Sequence, residues 1–421
     1  MAGFGSVLFS TLLLAGCGSG NSASGSTSVR LVNATLTHAS LNLVADGSIA
    51  IPATATDSAS TYATLNAGSP ALQVDDAASS AILSTLAPSL SNDAHYTLLA
   101  YEVGGLVRTS LFADSTSQPS TGTSLLRVFD AATEAGAIDV YISAAATSPT
   151  TPTLTLAAAT AVQTTTALSL LPGAYHVRIT GAGNSGDVRL DIPSVTLADQ
   201  QVATLLLTPT IGGTLVNGAV AVEQGSYFAA RNQNARVRLA AAVSAGAVVA
   251  ASAGSTVIEA GAASPSVGAY ALVTAASPLA ITVNGSSVGA PSTTITAGSD
   301  VTLLVYGTPG AAVANAVVDD NRLPVLASNV KLRLVNGITG AATPLTLTAD
   351  FAVVAANVAP DTASTYALQP ASTNMRLEVM ASTSQTPLYA ESALNLPGGA
   401  VYTLFMLGDA GATQHLLRKD R

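Results

Sequence analysis

Apolar and polar residues alternate along this chain in short runs, cut every few positions by Gly, Pro, Asn or Asp. Segments such as Val29-Arg-Leu-Val-Asn33 and Ala174-Tyr-His-Val-Arg-Ile179 carry the two-residue period of half-buried strands. Many short strands with regular turn signals predict an all-β chain of tandem immunoglobulin-like β-sandwich modules. Ala is abundant, but Glu is scarce and Lys331 and Lys419 are the only lysines, so the pattern does not favour helices. Asn217-Gly218, Asn284-Gly285 and Asn336-Gly337 are expected to form tight hairpin turns.

The pattern repeats four times. Each copy opens with an apolar–Arg–apolar strand at Arg30, Arg127, Arg238 and Arg333, spaced by 97, 111 and 95 residues. Each closes with a Thr-Leu strand at Thr97, Thr204, Thr302 and Thr403, spaced by 107, 98 and 101. Between them, three copies place a Tyr-Ala pair at Tyr62, Tyr270 and Tyr366, where the second copy has Leu168-Ser-Leu-Leu171. The modules are expected at 29–120, 121–212, 213–325 and 326–421, the third being the most divergent. At this size each module can bury a core and fold alone. The Arg is expected at the exposed position of an alternating strand, and the Tyr at a core or corner position with its hydroxyl on a backbone partner.

These landmarks carry a resemblance. Val29-Arg-Leu-Val-Asn-Ala34, Leu41-Asn-Leu-Val-Ala-Asp-Gly47, Tyr62 and Tyr96-Thr-Leu-Leu-Ala100 resemble the bacterial domain of unknown function 4397. Ala137-Ile-Asp-Val-Tyr-Ile142 and Leu171-Pro-Gly-Ala-Tyr-His-Val177 continue it in the second copy, and Val335-Asn336 with Thr348-Ala-Asp350 in the fourth. The third departs through Ala240-Ala241 in place of Val-Asn. The resemblance implies exported β-sandwich modules, as found in lipoproteins, and carries over no catalytic or binding residue.

The N-terminus supplies an address. Val7 to Leu14 is an apolar run too short to span a membrane, and Leu14-Ala15-Gly16-Cys17 ends it with the only cysteine. This reads as a lipoprotein signal peptide over 1–16, with Leu14, Ala15 and Gly16 forming the lipobox and Cys17 the lipid attachment site. Met1 to Ser10 departs from the pattern by lacking Lys and Arg; a start assigned too far downstream accounts for it. Residues 17–28 then form a lipidated Cys and a Gly/Ser-rich flexible tether reaching on the order of 20 Å. Gly18 after the cysteine resembles cargo forwarded to the outer membrane. The expected location is the bacterial cell envelope, anchored through the lipid on Cys17 and facing the periplasm or the cell surface.

Composition narrows the function. Of 421 residues 9% are charged, and the net charge of −9 is spread without a block of either sign, so nucleic acid is not an expected partner. The basic end, Leu416 to Arg421, reads as the solvated end of a last strand. His38, His95, His176 and His415 lie far apart, and Asp75-Asp76 and Asp319-Asp320 are isolated pairs expected in solvated turns. No metal or other cofactor is expected. Gly285-Ser286-Ser287-Val288-Gly289 fits the serine-hydrolase pattern, but no helical period follows and only His415 lies downstream. The chain is therefore expected to be no enzyme. It reads as a lipid-anchored protein presenting modules for structural or adhesive contacts with a protein or glycan partner. The alternative is a glycan- or peptidoglycan-binding accessory lipoprotein, against which stands the absence of Trp.

Overall fold

The computed structural model describes residues 25–145, the backbone of 154–159, and residues 167–244 and 246–421. The lipobox residues Leu14, Ala15 and Gly16 and the lipid site Cys17 lie outside the described residues. The described chain folds into four β-sandwich modules, each of two facing sheets.

In the first module one sheet has the order Ser58–Ala59, Ser26–Asn33, His95–Val103, Leu106–Ala113, with Ala63–Asn66 also on the first strand. The facing sheet runs Ser48–Ala55, Ser40–Ala45, Leu72–Asp76, Ile82–Leu86. The third and fourth modules repeat this order, and each module has its own apolar core between its sheets. In the first core Val29, Leu31 and Leu98 of one sheet meet Leu41, Leu43 and Val74 of the other.

The strands that open and close each sequence repeat lie side by side and run parallel. In all four modules the register sets the landmark Arg directly against the landmark Thr: Arg30 opposite Thr97, Arg127 opposite Thr204, Arg238 opposite Thr302, Arg333 opposite Thr403.

Two expectations change. Residues 216–230 do not open the third module: Val216–Val222 pairs with Val202–Pro209 and Tyr227–Ala230 extends that sheet, so the second module runs to 230. The third begins with Asn234–Val243. Of the three Asn-Gly pairs only Asn284-Gly285 is a turn, with φ of 49° and 79°. Asn217-Gly218 and Asn336-Gly337 lie inside strands, where the glycine answers a packing demand. A Cβ on Gly337 would sit 2.9 Å from Leu407 Cδ2 and 3.1 Å from Ala242 Cβ.

That contact joins modules. The strand Ser26–Asn33 is buried on both faces, which an ordinary sandwich sheet with one wet face does not require. Its second face, with Val32, Leu99 and Tyr101, packs on Phe129, Leu206, Ala219 and Ala221 of the second module. Modules three and four meet likewise through Ala240, Ala242, Leu304, Val335, Phe405 and Leu407. The chain is thus two face-to-face pairs.

Candidate functional site: the seams between modules

The repeated arginines lie in these seams, not in solvent. Arg30, Arg238 and Arg333 are 2%, 3% and 1% exposed, and Arg127 is half-buried. The strands do alternate, but their outward face meets another module.

Between modules three and four the lock is reciprocal. Arg238 Nε donates to Thr302 Oγ1 at 2.8 Å, and Arg333 Nε to Thr403 Oγ1 at 3.0 Å. Each guanidinium then crosses the seam: Arg333 to Asp319 of the third module, Arg238 to Asp420 of the fourth at 2.5 Å. Each acid is held from its own side as well. Tyr270 Oη and Thr302 Oγ1 donate to Asp319 at 2.6 and 2.7 Å, and Thr403 Oγ1 to Asp420 at 2.5 Å. Tyr270 also lies under the guanidinium of Arg238, and Tyr366 under that of Arg333, with centroids 4.4 and 4.5 Å away. Burial and the neighbouring carboxylate of Asp319 push Tyr270 well above its usual pKa, so the phenol stays protonated and donates. Tyr366 is raised chiefly by burial.

The first seam uses the same parts with less symmetry. Arg30 donates to Thr97 Oγ1 at 2.8 Å and to the carbonyls of Gly225 and Val222 at 2.7 and 2.8 Å. Asp114 accepts from Tyr62 Oη and Thr97 Oγ1, both at 2.5 Å. Arg127 pairs with Glu223 of its own module, and Glu223 also accepts from Thr116 Oγ1 at 2.7 Å.

Several readings are corrected here. The tyrosine hydroxyls find carboxylates, not backbone groups. Asp319 is fully buried at a seam, not in a solvated turn, and Asp75 is also buried. The chain's last residues are engaged too: Asp420 closes the lock, and Arg418 donates to the carbonyl of Val267 at 3.1 Å. The acids Asp114, Glu223 and Asp420, which with Asp319 stand one at the end of each closing hairpin, were missed. The available signal was the near-continuous apolar run in the closing strands, such as Tyr402-Thr-Leu-Phe-Met-Leu407, which marks burial on both faces.

The residues considered for catalysis stay apart. Ser287 is exposed on a hairpin opposite Thr282, away from any helix. His415 sits on a strand of the fourth module with its ring 4.5 Å from that of Tyr389. His38 and His176 each contact a single carboxylate, Asp76 and Asp191, at 2.8 Å. Among the described residues no three His, Cys, Asp or Glu gather as a metal site. No helix there is long and apolar enough to cross a membrane.

One cleft of about 700 Å³ opens where the linker between modules three and four crosses the first pair. Its rim carries the exposed side chains of Val318, Val325, Leu326 and Leu368, and its floor Lys331, Glu134 and Asp320. The floor is internally paired: Lys331 Nζ lies 2.9 Å from Asp320 and donates to the carbonyls of Asp320 and Arg322 at 2.8 and 3.0 Å. What remains open to a ligand is mostly apolar.

The fold defines a tandem β-sandwich protein. Residues 27–141, from the first strand into the second module, match the family described as Domain of unknown function (DUF4397). No curated protein matches the chain. Among solved structures, a candidate cell adhesion protein from Bacteroides uniformis is similar at 12% identity, covering 48% of this chain and 99% of its own, with a TM-score of 0.22. The Bacillus anthracis TIE protein is similar at 11% identity, covering 94% of this chain and 69% of its own, with a TM-score of 0.14. Likenesses this distant have no bearing on function.

Proposed function

We propose that this is a non-enzymatic, lipid-anchored protein of the bacterial envelope whose paired β-sandwich modules form a stiff body for structural or adhesive contacts. One observation carries the reading. The polar residues that recur from module to module, Arg, Thr and the closing acid, sit at the seams engaged with one another, and three of the four arginines cross to the neighbouring module. Repetition therefore serves assembly, and contact with a partner falls to the exposed loops and clefts. Cys17 would hold this body to the membrane.

Protease shaving of intact cells, following a tag after Arg421 beside a periplasmic control, tests where it works. Loss of the tag while the control survives supports surface adhesion. Protection until the outer membrane is opened points to an envelope scaffold and removes the adhesive reading. Membrane fractionation of a Cys17→Ala variant tests the anchor, which fails if the variant still fractionates with membranes.

A further inference from the structure

Away from the apolar cleft, a second cleft of about 590 Å³ lies among modules two, three and four. Three guanidinium groups line it, one from each module: Arg189 on Asn184–Leu197, Arg236 on Asn234–Val243, and Arg421 after the final strand. Asn184, Thr214 and Tyr270 add polar groups to the wall.

The acids at this cleft already have partners. Asp187 accepts from Arg189 at 2.9 Å. Asp300 accepts from Arg236 at 3.0 Å, from Thr214 at 2.9 Å and from Asn321 at 2.8 Å. Asp420 belongs to the seam lock. Arg421 differs. It is half-buried and its guanidinium donates to the carbonyl of Ala135, but among the described residues no side-chain carboxylate lies within 4 Å of it. Burial, then the neighbouring Arg189 and Arg236, hold its pKa down to about 9, with Asp187 and Asp300 offsetting part of the repulsion. Burial and the neighbouring guanidinium groups therefore disfavour the charge in the cleft. A structural pin to a carbonyl would not need a cation so placed, whereas an arriving oxyanion would relieve the repulsion. Arginine forks also match carboxylate and phosphate oxygens geometrically.

We propose that this three-module cleft binds an oxyanion, the phosphate or carboxylate group of an acidic ligand, on Arg421 flanked by Arg189 and Arg236. Bound there, the anion would tie the two module pairs together.

Titration calorimetry on the full chain, with glycerol phosphate and with a galacturonic acid trimer, tests this at low and physiological salt. We expect saturable binding of at least one probe, weakened by salt, and at least tenfold weaker binding by Arg421→Met. Preference for glycerol phosphate would indicate a phosphorylated polymer, and preference for the trimer an acidic glycan. Arg421→Lys, which keeps the charge but loses the fork, should bind with intermediate affinity. Arg376→Met, whose side chain pairs with Glu378 outside the cleft, should bind like the wild type. The ligand-free melting midpoint of Arg421→Met should hold or rise. The proposal is overturned by no saturable binding of either probe, by wild-type affinity in Arg421→Met, or by an equal loss in Arg376→Met. A lower midpoint in Arg421→Met and Arg421→Lys with unchanged affinity would mark a structural pin and overturn it too.

Discussion

Asp319 shows what one buried acid does in this chain. It accepts from Tyr270, Thr302 and the crossing Arg333, with no exposed surface. Truncating it strands a buried guanidinium, and removing one partner of a buried pair costs about 3–5 kcal/mol. Asp319→Ala should therefore destabilise the modules it joins by that order in urea unfolding. Asp319→Leu combined with Arg333→Met should cost much less than the two single changes summed, because no charge is left unpaired. Asp130 works in the opposite sense. Burial raises its pKa to about 6, although Ala132 N–H donates to it at 2.9 Å; among the described residues Oδ2 has no hydrogen-bond partner. A carboxyl whose folded pKa exceeds its unfolded value near 3.9 penalises the fold once ionised. The penalty is absent below about pH 4, grows as pH rises toward 6, and is complete above it. Asp130→Asn should thus raise stability by roughly 1–3 kcal/mol at pH 8, leave it unchanged at pH 4, and flatten the slope between.

At the scale of strands, the repeat was legible because its two landmarks are cross-strand neighbours in parallel register. Arg and Thr recur together because each Arg needs that hydroxyl. The module edges were less legible. The boundary expected at 212/213 falls where the chain does turn, Gly213 with φ of 80° and packed on Arg322. The hairpin that follows nevertheless returns to the second module. The acids were hidden for another reason: an acid after a strand looks solvated, and the arginines that cross to Asp319 and Asp420 belong to a neighbouring module. Strand membership predicts how fragments behave. Residues 25–233 should fold as the first pair and melt cooperatively. Residues 25–212 lack Val216–Val222 and Tyr227–Ala230, which exposes the edge of Val202–Pro209 and removes Ala219 and Ala221 from the seam. That shorter fragment should aggregate or bind a hydrophobic dye, and equal stability of the two fragments would refute the assignment.

For the whole molecule, the question is how many units unfold together. Four separate sandwiches would melt as four domains, but each seam combines an apolar cluster with a buried arginine that crosses it, to backbone carbonyls in the first seam and to carboxylates in the second. Between the pairs the contacts are thinner. They include backbone bonds such as Gly212 N–H to the carbonyl of Gly298 and Asn321 N–H to that of Gly212, both 2.9 Å, and Leu323 N–H to that of Glu134 at 3.1 Å. Among the described residues none of the six core clusters spans both pairs. Cooperativity follows buried contact, so scanning calorimetry should resolve two transitions, one for each pair. Gly337→Val separates this from the alternatives. The added side chain has no room against Leu407, Ala242 and Leu304, and overpacking of this kind costs about 1–3 kcal/mol. It should lower one transition and leave the other in place. A shift of the whole profile would mean one cooperative body. Splitting of the lowered transition would mean that the third and fourth modules remain joined only while the seam between them is intact.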